Sequence, residues 1–241
     1  MDHSGWFAGY AQRRYGGADP HAARAWELLR TGPHSTPSGP WSESQDSLFT
    51  ARPGLTVGTS ANWSPSAMRY DASTVRQALP ELLQVAPWLR KSDAYRFDVV
   101  DVARQALANR SRTLLPQIKA AYEGKDLALF RQRAGEWKRD LALLDRLPAT
   151  DRRFMPGPWL EDVRAWGSTD AERSAAEFDA RSIHTTWGHR SGSESGGLRD
   201  YANREWPGLI RDFCAARWTL CLGSLDTALA TGRPPAAIDW F

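Results

Sequence analysis

Apolar residues recur three and four positions apart along most of the chain from residue 71 onward, a period that predicts helices. Val75, Leu79, Leu82 and Ala86 line one helical face, with Asp71 and Thr74 as candidate caps and Pro87 at the end. Ser92 and Asp93 open a longer helical stretch toward Gly124. Its apolar face runs through Phe97, Val100 and Leu107, then Leu115, Ile118 and Tyr122. Pro116 removes a donor and crowds the preceding turn, so a kink or a break is expected there. The clearest seam follows: Leu127, Phe130, Ala134, Trp137, Leu141 and Leu144, closed by Leu147-Pro148. Gly135 within it costs on the order of 1 kcal/mol of helix propensity against Ala. It is read here as room for a neighbour to approach closely.

Pro156-Gly157-Pro158 reads as a turn into a short helix containing Trp159, Val163 and Trp166. After Gly167, Ser168-Thr169-Asp170 with Glu172 starts an Ala-rich helix that is expected to run to about Trp187-Gly188. A Gly/Ser-rich loop is expected from His189 to Gly197. The last helix is placed from near Asp200 past Leu229, with Leu209, Phe213, Ala216 and Leu220 on one face and Gly232, Pro234 and Pro235 closing it.

Residues 1–70 differ. Two short helices are expected, Trp6 to Tyr15 and Pro20 to Leu29, the second with Asp19 as N-cap and Pro20 in the first position. Thr31 to Ser47, rich in Ser, Pro and Gly, reads as an exposed loop, and Phe49 to Tyr70 stays irregular. No strand pattern and no internal repeat appear. The reading is all-α: a helical bundle or array, with residues 1–70 as short helices and an irregular linking segment and residues 71–241 as the helical domain.

The net charge of +3, 31 basic against 28 acidic residues, is spread along the chain and gives no nucleic-acid footprint. The arginines from Arg131 to Arg139 alternate with apolar core positions, which argues against a helical nucleic-acid regulator. No apolar run approaches the roughly 20 residues that span a bilayer. Met1 to Trp6 shows no basic region leading into an apolar core, so no secretion signal is visible. Cys214 and Cys221 share a helix, about 10.5 Å apart along its axis, beyond the roughly 7 Å that a disulfide allows. They read as small buried apolar residues. Twelve tryptophans stand out; each packs a core or offers its indole face to a pyranose.

The usual catalytic signatures are missing, whether phosphate loop, nucleophile elbow or zinc-type spacing. His184 and His189 have no third ligand near them in the sequence, so no metal site is assigned, and no cofactor is implied. Paired carboxylates for glycoside chemistry would stand about 5 to 9.5 Å apart, and none is marked by a distinctive motif. One constellation remains. Arg181, His184 and Trp187-Gly188 end one helix; Asp200-Tyr201-Ala202-Asn203-Arg204-Glu205-Trp206 opens the next. Asp200 either caps the last helix or joins Asn203 in a polar rim beside an aromatic wall, a surface suited to sugar hydroxyls.

At these residues the sequence resembles the α-N-acetylglucosaminidase family of glycoside hydrolases, in its C-terminal helical domain. Thr186-Trp187-Gly188 followed by Asp200-Tyr201-Ala202-Asn203-Arg204 is similar to the family's D-Y-A-N-K region. Tyr95 to Gln105 resembles its F-R-Y-D-L-L-D-L-T-R-Q pattern, and Arg153 to Glu161 its R-F-L-L-G-x-W-L-E segment. Trp6-Phe7-Ala8 through Ala11-Gln12-Arg13-Arg14-Tyr15-Gly16 resembles the stretch that follows the catalytic domain. The matches are in order and cover nearly the whole chain.

The resemblance implies an architecture of a small N-terminal domain, a (β/α)8-like catalytic barrel and this helical domain. It implies retaining exo-hydrolysis of terminal α-linked N-acetylglucosamine by two glutamates of the barrel. No position here matches those glutamates, so no catalytic residue is assigned. The chain is expected to be a detached or truncated helical domain, inactive alone, with the catalytic barrel as its partner and an apolar patch exposed where the barrel sits. Trp187, Asp200, Tyr201 and Asn203 are expected to face the barrel or its N-acetylglucosamine pocket. The alternative is a free-standing module that binds glycan or protein. Family members are secreted, periplasmic or lysosomal; the sequence itself assigns no compartment.

Overall fold

In the computed structural model, residues 3–35, 46–61, 64–195, 197–202 and 204–241 are described. Most of the loop expected over 31–47 (residues 36–45), and Asn203, lie outside them. The fold is all-α, with no strand among the described residues. Two compact units are distinguished, Met1–Gln45 with Ala67–Asn109, and Asp46–Ser66 with Arg110–Phe241.

In the first unit, α1 (His3–Tyr15), α2 (Pro20–Thr31) and α3 (Ala72–Leu82) join the opening turns of α4 (Asp93–Glu123). Asp19 caps α2 by accepting from the Ala22 backbone N–H at 2.9 Å, with Pro20 in the first turn. Its second oxygen accepts from the Ala86 N–H at 3.0 Å. Burial opposes the Asp19 charge, but these backbone donors prevail and hold its carboxyl below the usual range. Around an apolar core of Trp26, Leu29, Val75, Leu82 and Val102 runs a buried polar chain. Trp26 Nε1 donates to Tyr15 Oη at 3.0 Å and Tyr15 Oη donates to Asp98 at 2.9 Å. The Arg14 fork grips the same carboxylate with two bonds of 2.6 Å. Burial, with Asp98 beside it, pushes the Tyr15 phenol far up, so it stays a donor.

In the second unit, α5 (Leu127–Arg146) buries Phe130, Ala134, Trp137, Leu141 and Leu144, the seam that the spacing predicts. Its Trp137 packs between Phe49 (ring centroids 4.4 Å apart) and Trp218 (4.5 Å). Trp218 Nε1 donates to the Phe49 carbonyl at 3.0 Å, so the indole is buried with its polar edge satisfied. The irregular segment after residue 46 is organised by one guanidinium. Arg112 donates to the carbonyls of Asp46, Gly58 and Ser66 and to the Asp46 carboxylate. That carboxylate in turn accepts from the Ser60 and Ala61 N–H groups. Segments without a hydrogen-bond ladder of their own must satisfy their backbone elsewhere, and here they do so on a buried ion pair.

α6 (Gly157–Ala165) and α7 (Asp170–His184) follow, the latter opened by a capping box between Thr169 and Glu172. α8 (Arg190–Ser195), a single π turn (Ile210–Cys214) and α9 (Ala215–Thr231) complete the unit, and Gly232 takes the left-handed closing position at φ 71°. Cys214 and Cys221 are free and buried, with burial pushing their thiols up to about 12 and about 11. No helix among the described residues is long and apolar enough to cross a membrane.

Several expectations are corrected. Of the kink or break expected at Pro116, the break is absent: α4 runs through it, and Leu114, Leu115 and Ile118 around it are buried, packing that offsets a helix penalty of roughly 3 kcal/mol. The Ala-rich helix ends at His184, and the stretch expected to be a loop after His189 holds a short helix. Ion pairs from Arg190 to Asp239 and from Glu194 to Arg52 anchor that helix. The last helix begins at the π turn rather than near Asp200, because Pro207 lacks an N–H and Gly208 sits at φ 83°. Its cap comes from another helix: the Asp145 carboxylate accepts from the Gly208 and Arg211 N–H groups at 2.7 and 3.2 Å. The inward stripe is Ile210, Cys214, Trp218, Cys221 and Leu225, while Ala216 and Leu220 face outward.

Gly135 makes no close approach to a neighbouring helix. An added Cβ would meet only the flexible end of Arg139, at 3.4 Å. Gly135→Ala is therefore expected to raise unfolding free energy by about 0.5–1 kcal/mol, read from urea midpoints. A loss of stability would restore the close-approach reading.

Candidate functional site

Trp187 and Tyr201 lie on opposite sides of α8 in the sequence, and the second unit brings their rings to a centroid distance of 4.8 Å, tilted by 50°. Both are partly buried. Trp187 has φ 71° and Asp200 φ 54°, so the two residues that set the ring pair in place are both left-handed. For Trp in particular this is an outlier, costing on the order of 1–3 kcal/mol, and it persists only where surrounding contacts impose it. The Trp187 N–H donates to the Ser182 carbonyl at 2.8 Å, wrapping the end of α7, and the Tyr201 N–H donates to Leu198 O at 3.2 Å.

Asp200 does not cap the last helix. It is 3% exposed, and its Oδ2 accepts from Arg52 Nε and Arg217 Nη2, each at 3.2 Å. Arg52 also pairs with Glu194. Arg217 lies over the faces of Phe213 at 4.5 Å and Trp240 at 5.3 Å. Of the four residues expected at this site, Trp187 and Tyr201 are in ring contact, and Asp200, next to Tyr201 in the chain, is buried against Arg52 and Arg217. Asn203 lies outside the described residues.

Neither arginine is singled out by the sequence. Arg52 sits in an aperiodic stretch, 148 positions from Asp200. Arg217 carried one usable signal: it stands three residues after Cys214 and four before Cys221, on the stripe that becomes buried, and a lone charge there calls for a partner.

Beside this site an apolar groove of about 280 Å³ is lined by Trp159, Leu160, His184, Trp206, Leu209 and Phe213. The His184 ring lies 4.5 Å from Trp159 and 4.7 Å from Trp206. Its Nδ1 donates to the Ala202 carbonyl at 3.3 Å, tying the groove to the segment that carries Tyr201. Burial lowers the His184 pKa, against the weaker pull of that carbonyl, so the ring is neutral at pH 7. No group of three or more His, Cys, Asp or Glu side chains is gathered for a metal among the described residues.

Solved structures show the class of protein to which this fold belongs. A family 89 glycoside hydrolase from Clostridium perfringens in complex with PUGNAc superposes with a TM-score of 0.94 at 30% identity, covering 100% of this chain and 27% of that one. A double Glu-to-Gln variant from the same organism, in complex with its substrate GlcNAc-α-1,4-galactose, matches equally, with a TM-score of 0.94, 30% identity and the same 100% and 27% coverage. Human α-N-acetylglucosaminidase is 33% identical over 234 residues, 97% of this chain and 30% of the relative. Residues 6–240 match the family model described as the alpha-N-acetylglucosaminidase (NAGLU) C-terminal domain, and the chain belongs to that family. It spans under a third of the length of these relatives.

A histidine with a depressed folded pKa gives stability that is complete above about pH 6.5 and is lost as pH falls toward the folded value. Unfolding midpoints are therefore expected to fall between pH 7 and 5, and less steeply in His184→Gln. An unchanged slope in that variant would show that His184 is not buried neutral.

Proposed function

We propose that this chain is the helical domain of an α-N-acetylglucosaminidase-type glycoside hydrolase. In this reading it packs on a catalytic barrel and walls the pocket for terminal α-linked N-acetylglucosamine. Residues 1–70 would follow the barrel and residues 71–241 form the helical domain. The carrying observation is the Trp187–Tyr201 ring pair, partly exposed and held by left-handed backbone. An indole face of this kind suits the apolar face of a pyranose, with the Tyr hydroxyl able to reach a sugar oxygen. In this reading Asp200, 3% exposed and bonded to Arg52 and Arg217, supports the pair rather than meeting the sugar itself. The relatives support the sugar: the C. perfringens structures are complexes with PUGNAc and with GlcNAc-α-1,4-galactose.

Packing on a partner is supported by α6 and α7. α6 buries no residue and α7 only Ala180, while Trp166 and Phe178 stand 83% and 70% exposed. Large side chains left so open on adjoining helices suit a surface that another domain covers.

A chimera tests this reading: the C. perfringens enzyme with its helical segment replaced by this chain. It is expected to hydrolyse an aryl α-N-acetylglucosaminide, and Trp187→Ala to cost on the order of tenfold or more in kcat/KM, about 1.4 kcal/mol of lost binding. The chain alone is expected to show no turnover. Activity of the chain alone, or a fully active Trp187→Ala chimera, contradicts the proposal.

A further inference from the structure

We infer that Arg52 and Arg217 are positioning residues, which grip Asp200 and so fix the left-handed turn that sets Tyr201 against Trp187. The inference rests on the proposal that this ring pair faces the sugar, and it names the device that holds the pair in register.

Both guanidinium groups converge on one carboxylate oxygen, Asp200 Oδ2. The Asp200 and Arg217 side chains are 3% and 8% exposed and that of Arg52 is 15% exposed, so little water reaches the triad. The cations are themselves fixed. Arg217 lies on the Phe213 and Trp240 rings, and Arg52 lies over Phe241 at 5.2 Å and pairs with Glu194. Without the Asp200 charge, Arg217 would lose its carboxylate partner and Arg52 would keep Glu194 alone, and the φ of 54° at Asp200 would rest on the Tyr201 N–H bond to Leu198 O. Tyr201 is the next residue, so any relaxation there moves its ring directly. The Trp187 backbone, at φ 71°, is tied to the end of α7 by its N–H bond to Ser182 O, which leaves the Tyr201 ring as the contact that sets its indole.

A merely structural ion cluster would lower global stability and leave the rings alone. The two accounts separate in the full chain labelled with 5-fluorotryptophan, the Trp187 resonance being assigned by its loss in Trp187→Phe. Asp200→Asn keeps a residue that tolerates left-handed backbone and removes only the charge. It is expected to move the Trp187 resonance to the solvent-exposed position and narrow it, with the other tryptophan resonances unmoved. Arg217→Lys and Arg52→Lys keep the charge but lose the fork, and are expected to shift the same resonance in the same direction by a smaller amount. They decide the matter if Asp200→Asn does not fold. A Trp187 resonance that stays in place in the folded variants, or tryptophan resonances that shift all together, overturns the inference. Carrying Asp200→Asn into the chimera keeps the two proposals apart. A rise in KM at retained kcat supports both. Unchanged kinetics with a released ring leaves the positioning device standing and removes the sugar-facing role.

Discussion

Two arginine side chains held away from water, those of Arg52 and Arg217, need a counter-charge, and Asp200 supplies it to both through a single oxygen. Desolvating such ions is costly, and their attraction offsets the cost only when the geometry is held. Aromatic faces hold it here: Phe213 and Trp240 for one guanidinium, Phe241 for the other. The turn at Asp200 is bound to this arrangement, and Tyr201, Trp187 and the Ala202 carbonyl that fixes His184 follow from it. Buried polar groups beside the site thus set, on this proposal, the aromatic pair next to them.

The same logic recurs in each unit. Arg112 gathers the backbone of an irregular segment onto its fork, and Asp98 gathers Arg14 and Tyr15. Apolar periodicity brings helices together without fixing the segments between them. Buried charges whose bonds have direction supply the rest: Arg112 sets the irregular segment, and Asp98 fixes how α1 sits on α4.

The division between what the sequence reveals and what it conceals follows range. The α5 seam, the Asp19 and Asp71 caps and the Thr169 capping box depend on neighbours within one or two turns, and all are visible in the spacing. Asp200 looked equally like a cap because Asp is a preferred N-cap residue, while its actual partners lie 148 and 17 positions away. The cap of the last helix is hidden for the same reason, since Asp145 reaches it from 63 positions off. Pro116 does not end α4, because its local penalty is smaller than the packing of Leu115 and Ile118, which no local rule contains. Trp187 and Tyr201 were singled out by resemblance to a family motif, and the ring contact between them is what the fold adds.

Membership of the α-N-acetylglucosaminidase C-terminal domain family gives the ring pair its proposed setting, and the exposed Trp166 and Phe178 carry the proposed packing on a catalytic domain. The most direct measurement is a crystal structure of the chimera with PUGNAc bound. The account predicts the Trp187 ring within about 4 Å of the sugar, in van der Waals contact, with Asp200 still gripped by Arg52 and Arg217. A sugar bound in the pocket with Trp187 turned away from it and out of contact would contradict it.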